Sequence, residues 1–157
     1  MSRELSSVRL NSSFAVLMLA ALLGACGATA PTPGATGAPA AGSPDLTCAL
    51  ASNCVSSVGT RALLALRYVG TPAQATAILQ ATLASFPEAT VVREEPLAMQ
   101  VIFTTRAGFR DQVDFRIDPQ AQRVDFRSGS LLGLYDWGKS RSRMLEFTSR
   151  FEQQAPL

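Results

Sequence analysis

The sequence predicts an α+β domain, an antiparallel sheet of about four to five strands with two helices packed on one face. Three patterns carry that prediction. Thr71-Pro72 followed by Gln74 opens a stretch in which Ala75, Ile78, Leu79, Thr82, Leu83 and Phe86 recur at helical spacing. Val113, Phe115 and Ile117 alternate with Asp114, Arg116 and Asp118, and Val124 and Phe126 alternate with Arg123, Asp125 and Arg127, the two-residue period of paired strands. Near the C-terminus Met144, Leu145, Thr148 and Phe151 share one helical face. A helix, an antiparallel meander and a closing helix make a two-layer arrangement, because a sheet with one apolar face must cover it.

Residues 1–25 read as a lipoprotein signal peptide. Arg3 and Arg9 precede an uncharged run beginning at Phe14 that ends in Leu23-Gly24-Ala25-Cys26. About a dozen apolar residues suit a signal core and fall short of the ~20 that a spanning helix needs. Small residues abutting a cysteine resemble the bacterial lipobox, in which the thiol of Cys26 is acylated and the mature chain begins there. Residues 26–44 carry no charge and no large side chain, so they read as an Ala/Pro/Gly-rich tether. The expected location is the cell envelope, with the membrane reached through lipid on Cys26. Gly27 after the cysteine, where Asp would signal retention, favours the outer membrane facing the periplasm in a two-membrane organism.

Residues 45–157 form the single expected domain. A short strand at 63–69 ends at Gly70. Thr71 is the N-cap of the first helix, Pro72 suits its first position, and Pro87 terminates it after Phe86. Strands follow at 89–94, 97–105, 112–118 and 123–127, with Glu95-Pro96 as a tight turn and Leu97, Met99, Val101 and Phe103 aimed at the core. Charge sets the register of the last hairpin: Asp118 faces Arg123, Arg116 faces Asp125 and Asp114 faces Arg127. These six charges are expected as a solvated cross-strand ladder, with Asp114 and Arg127 as candidate site residues. The final helix spans 140–153, and Glu146 stands four residues before Arg150.

Composition excludes several chemistries. The chain has no histidine, which removes His-based triads, His acid–base catalysis and most catalytic zinc sites. A formal charge of +2 without a clustered basic face does not steer nucleic acid. Neither a cofactor nor a metal is expected. Cys48 and Cys54 lie close in sequence within a segment expected outside the cytosol, which favours a disulfide over two free thiols or a metal site.

The segment before the last helix concentrates polar chemistry. Arg127, Ser128, Ser130, Asp136, Arg141 and Arg143 offer bidentate donors and hydroxyls next to a helix start, the ingredients of an anion or carboxylate pocket. Alternatively, Asp136 pairs with Arg141 or Arg143 to fold the loop and the serines satisfy backbone groups. A hydrolase reading puts Ser128 or Ser130 forward as nucleophile with Asp136 nearby. Lys139 is then the only lysine base, and neither serine lies in a Gly-x-Ser-x-Gly elbow. Tyr135 and Trp137 are expected to close a core edge; exposed, they would suit a partner or the bilayer interface.

Two stretches carry a family resemblance. One is Cys48 through Asn53-Cys54-Val55-Ser56-Ser57; the other runs Arg127-Ser-Gly-Ser-Leu-Leu-Gly-Leu-Tyr-Asp-Trp-Gly-Lys-Ser-Arg-Ser-Arg143. Together they resemble the domain of unknown function 1499 family, with Leu131 standing where the family usually has Arg and Ser140 where it has Asn. The resemblance implies an envelope or organelle-lumen protein, often membrane-attached, with no established activity. The expected function is a lipid-anchored envelope domain that binds an envelope protein or a small anionic ligand without catalysis. The alternatives are a hydrolase-like enzyme using Ser128, Ser130 and Asp136, and a structural accessory of a membrane complex.

Overall fold

The structure, a computed structural model, describes residues 43–60 and 62–155. The expected signal segment, the acylation site Cys26 and nearly all of the tether lie outside the described residues. The described chain runs β1 (Cys54–Ser56), β2 (Leu66–Arg67), α1 (Pro72–Leu83), β3 (Ala89–Glu95), β4 (Ala98–Thr104), β5 (Arg110–Asp118), β6 (Arg123–Ser130) and α2 (Lys139–Gln154). The strands form one antiparallel sheet ordered β1-β6-β5-β4-β3, and β2 also pairs with β6.

The mixed fold is as expected, with six strands rather than four to five. The strand expected at 63–69 shrinks to two residues, and a new one, β1, arises in the cysteine segment. Both line the edge of β6 that β5 leaves open: Cys54 pairs with Gly129 and Leu66 with Val124. Their pairing is dictated by that edge, whose N–H and C=O groups need partners, so neither strand needs an alternating pattern of its own.

Helix α1 begins as its sequence dictates. Thr71 Oγ1 accepts from the Gln74 N–H at 3.3 Å, and Gln74 Oε1 accepts from the Thr71 N–H at 2.7 Å. Gly70, at φ 111°, precedes this cap. A Cβ there would sit 2.2 Å from Gln74 Oε1, so the cap requires glycine. The helix ends at Leu83 rather than Phe86, because Ser85 and Phe86 donate only three residues back, to Thr82 and Leu83.

The register of the β5–β6 hairpin is the one that charge selects: Asp114 opposite Arg127, Arg116 opposite Asp125, Asp118 opposite Arg123. The alternating apolar residues then face the helices. Val101, Phe103, Val113, Phe115, Val124 and Phe126 join Leu79 of α1 and Met144, Phe147 and Phe151 of α2 in one core. Phe147 lies 5.1 Å from Phe115 and 5.7 Å from Phe86, ring to ring. Each buried phenyl contributes roughly 1.5–3 kcal/mol through area removed from water. Two expectations about this face are corrected. Leu145 is exposed and Phe147 is the core residue, because steps of four and three from Ser140 give 144, 147 and 151. Leu97 belongs to the β3–β4 turn and is exposed.

The charged face of the hairpin is not a solvated ladder. Asp114 and Asp125 are buried, because residues before β2 cross over them. Ser57 Oγ donates to Asp125 Oδ1 at 3.1 Å, and Arg127 Nε donates to the Thr47 carbonyl at 2.9 Å. Asp114 accepts from Gln100, Gln112 and Arg127. Asp125 also lies 3.2 Å from Arg123 and 3.4 Å from Arg116. Burial of charge costs nearly what pairing returns, so this network sets the position of the N-terminal segment more than it adds stability.

Candidate functional site

Residues 47–57 form a hook closed by the Cys48–Cys54 disulfide, whose Cα atoms lie 5.7 Å apart. So short a ring removes about 2 kcal/mol of chain entropy from the unfolded state. At the hook's base, the carboxylate of Asp45 accepts from the N–H and hydroxyl of Thr47, and these bonds hold its pKa below the ordinary value.

The loop from Leu131 to Gly138 leans on this hook. Asn53 Nδ2 donates to the Gly133 carbonyl at 2.8 Å and the Ser52 hydroxyl to the Leu134 carbonyl at 2.5 Å. The Asp136 N–H donates to the Ser52 carbonyl, and the Ser130 N–H to that of Asn53. The two stretches that carry the family resemblance are therefore the two halves of one contact. Ser52 and Asn53 build this site although sequence reasoning gave them no role; the place of Asn53 within the motif was the available signal.

Asp136 organises the start of α2. Its Oδ1 accepts from the Gly138 N–H at 2.9 Å and its Oδ2 from the Ser140 N–H at 3.0 Å. Gly138, the N-cap, has no side chain to offer, so the carboxylate two residues earlier serves the free N–H groups. Burial raises the Asp136 pKa, but the N–H groups of Ser140 and Gly138 favour the anion and hold it below its ordinary value. Backbone thus replaces the ion pair with Arg141 or Arg143 that loop folding suggested.

Arg143 points into the molecule instead. Its Nη2 lies 2.6 Å from Asp111 Oδ2, and its guanidinium lies 4.8 Å from the centre of the Phe103 ring. Asp111 escaped notice in the sequence although the signal was there. It shares the parity of Val113, Phe115 and Ile117, so β5 turns it toward the helices, where a carboxylate needs a cation from above.

The remaining candidates sort into separate surroundings. Asp114 and Arg127 pair at 3.4 Å beneath the hook. Ser128 is buried on the helix side of β6, with its Oγ shielded from solvent and without a hydrogen-bond partner among the described residues. Ser130 donates to the Leu132 carbonyl at 2.8 Å. Only Asp136 and Arg141 reach a common open space, a cleft of about 700 Å³ between hook and loop that Thr47, Cys48, Ser52 and Tyr135 also line. Arg141 is exposed there and makes no ion pair with any described residue.

Tyr135 and Trp137 do not close a core edge. Both are exposed, ring centroids 5.0 Å apart in an edge-to-face pair, and Leu131, Leu132 and Leu134 are exposed beside them. The hydrogen bonds that pin the loop to the hook use its backbone N–H and C=O groups, which leaves the apolar side chains exposed. Among the described residues, no three His, Cys, Asp or Glu gather as metal ligands, and no helix is long and apolar enough to cross a membrane.

No curated protein matches the chain. A family model does match, over residues 46–151, which takes in the hook, the whole sheet, both faces of the cleft and most of α2. The chain belongs to the DUF1499 family, described as proteins of unknown function.

Proposed function

We propose that this chain is a lipid-anchored cell-envelope protein whose domain binds a small anionic ligand and catalyses nothing. One observation carries the binding reading: Arg141, exposed and without an ion pair among the described residues, lines the cleft together with Tyr135 and residues of the hook. A free guanidinium in a partly enclosed site recognises carboxylate or phosphate groups through parallel N–H donors. Catalysis finds little support. The Ser128 hydroxyl is shut away from solvent and that of Ser130 is committed to a carbonyl, so neither stands ready as a nucleophile. Anchoring rests on the signal-like segment and Cys26, which place the domain on a membrane surface, the outer membrane where there are two.

A second reading, an accessory that docks on an envelope protein, draws support from Asp114, Arg127, Ser130 and Asp136, all engaged within the fold. Calorimetric titration with phosphate, sulfate and small dicarboxylates separates the two. The ligand reading expects saturable binding to the wild-type chain, weakened about tenfold in Arg141→Ala. No binding by any of these anions, together with capture of one stoichiometric envelope protein, would replace it with the accessory reading. Intact mass of the membrane-extracted chain tests acylation at Cys26 separately.

A further inference from the structure

We infer that the end of the domain carrying Trp137 is a bilayer-contacting crest, which inserts its apolar side chains into the interface of an anionic membrane. The reading goes beyond ligand binding in the cleft, and it relies on the lipid anchor only for bringing a membrane within reach.

The apolar exposure here is concentrated. Trp137 is 87% exposed, Leu134 76% and Leu132 66%, and Tyr135 and Phe109 are more than half exposed. The hydrogen bond from the Leu131 N–H to the Arg110 carbonyl brings the 105–109 turn to the same end of the sheet. A contiguous apolar cluster of this kind marks an interaction surface rather than ordinary scatter.

The cluster is also held in place. Ser52, Asn53 and Asp136 fix its backbone, and the disulfide stiffens the hook that supplies two of those residues. Trp137 occupies the left-handed region at φ 55°, which is costly for a bulky side chain and persists because Asp136 and Gly138 hold the turn. The side chains are presented outward in advance, so contact costs little further ordering.

Charge and composition select a lipid surface over a protein one. Arg106, Arg110, Lys139 and Arg141 surround the crest and are exposed. Of the acids at this end, Asp111 is engaged by Arg143, Asp136 by the start of α2 and Glu146 by Arg150, which leaves Glu88, beside Arg106 and Lys139, as the exposed carboxylate against four exposed cations. The chain as a whole nearly balances, with 14 cations against 12 acids. Tryptophan and tyrosine settle at the headgroup level, leucines below it, and each nearby Lys or Arg adds attraction to an anionic leaflet. Reach is sufficient. Pro44 lies beside Glu95 and Ala98 at the far end of the sheet, and residues 27–43 extend to at most about 60 Å, against roughly 30 Å for the nine-residue strand β5.

Trp137 is the only tryptophan, so its fluorescence reports the crest alone. The full chain is reconstituted in phosphatidylglycerol–phosphatidylethanolamine vesicles with and without bromine on the acyl chains. The expected result is blue-shifted emission that brominated lipid quenches about twofold, and loss of both in Leu132→Asp/Leu134→Asp. Those leucines are exposed, so the urea midpoint of the variant stays at the wild-type value. Water-like emission with no bromine quenching would overturn the crest, whatever the mass at Cys26 shows. A blue shift that needs no lipid and grows with protein concentration would overturn it in favour of a second copy.

Discussion

Arg143 Nη2 lies 2.6 Å from Asp111 Oδ2, and this one bond ties helix α2 to the start of β5. Both side chains are more than nine-tenths buried. Replacing Arg143 with Met strands the carboxylate, and the expected loss is about 3–5 kcal/mol. Asp111→Asn in the same chain recovers a large part of it, because the uncompensated charge is gone. Urea midpoints of both single variants and the double variant measure this. An Arg143→Met protein as stable as wild type would show that Asp111 finds another partner.

Asp136→Ala removes the acceptor at the head of α2 and is expected to cost about 1 kcal/mol at neutral pH. The native pKa of Asp136 lies below its ordinary 3.8, so the carboxylate stabilises the fold above that value. As pH falls through the native pKa the advantage disappears. Denaturation curves of wild type and variant should therefore differ at pH 7 and converge in acid once the pH has fallen below the lowered native pKa. Asp136→Asn, which keeps an acceptor oxygen, should fall between them.

Reduction of Cys48–Cys54, or replacement of both by Ala, should lower stability by about 2 kcal/mol. The loss reaches beyond the ring. With the hook loosened, Asn53 and Ser52 release the Gly133 and Leu134 carbonyls, and amide exchange in residues 131–138 should accelerate with little change in β4 and β5. Equal acceleration across the sheet would mean that the hook is integral to the core.

Gly70→Ala forces a methyl to within 2.2 Å of Gln74 Oε1 at φ 111°. The expected cost is roughly 1–3 kcal/mol, from backbone strain and the lost capping bond. In the Gln74→Ala background neither the clash nor the capping bond exists, so adding Gly70→Ala there costs only the backbone share, which a denaturant series on both single variants and the double variant resolves.

Local chemistry made the helices and the hairpin legible in advance. Thr71, Pro72 and Gln74 announce a helix without any tertiary partner, and the charges from Asp114 to Arg127 select their register by simple opposition. The short strands β1 and β2 could not be read in the same way. Each exists because β6 has an open edge, a property of residues far along the chain. Burial of Asp114 and Asp125 was hidden for a similar reason: alternation assigns a residue to a face but does not say what later covers that face. The candidate polar cluster was legible as a list and not as a place. Consecutive residues on a strand alternate sides, so Arg127 and Ser128 part company at once, whereas Asp136 and Arg141 meet through a loop and a helix turn.

The position of β6 as the support for both β1 and β2 has a kinetic consequence. Cys54 and its partner Gly129 lie far apart in the chain, so during oxidative refolding the opening strand waits, unpaired, for the closing one. The sulfur bridge spans only six residues and can be made during that interval. Oxidation would then precede docking, and the final zipping of an already looped segment onto β6 becomes the slow, long-range closure on which refolding time depends.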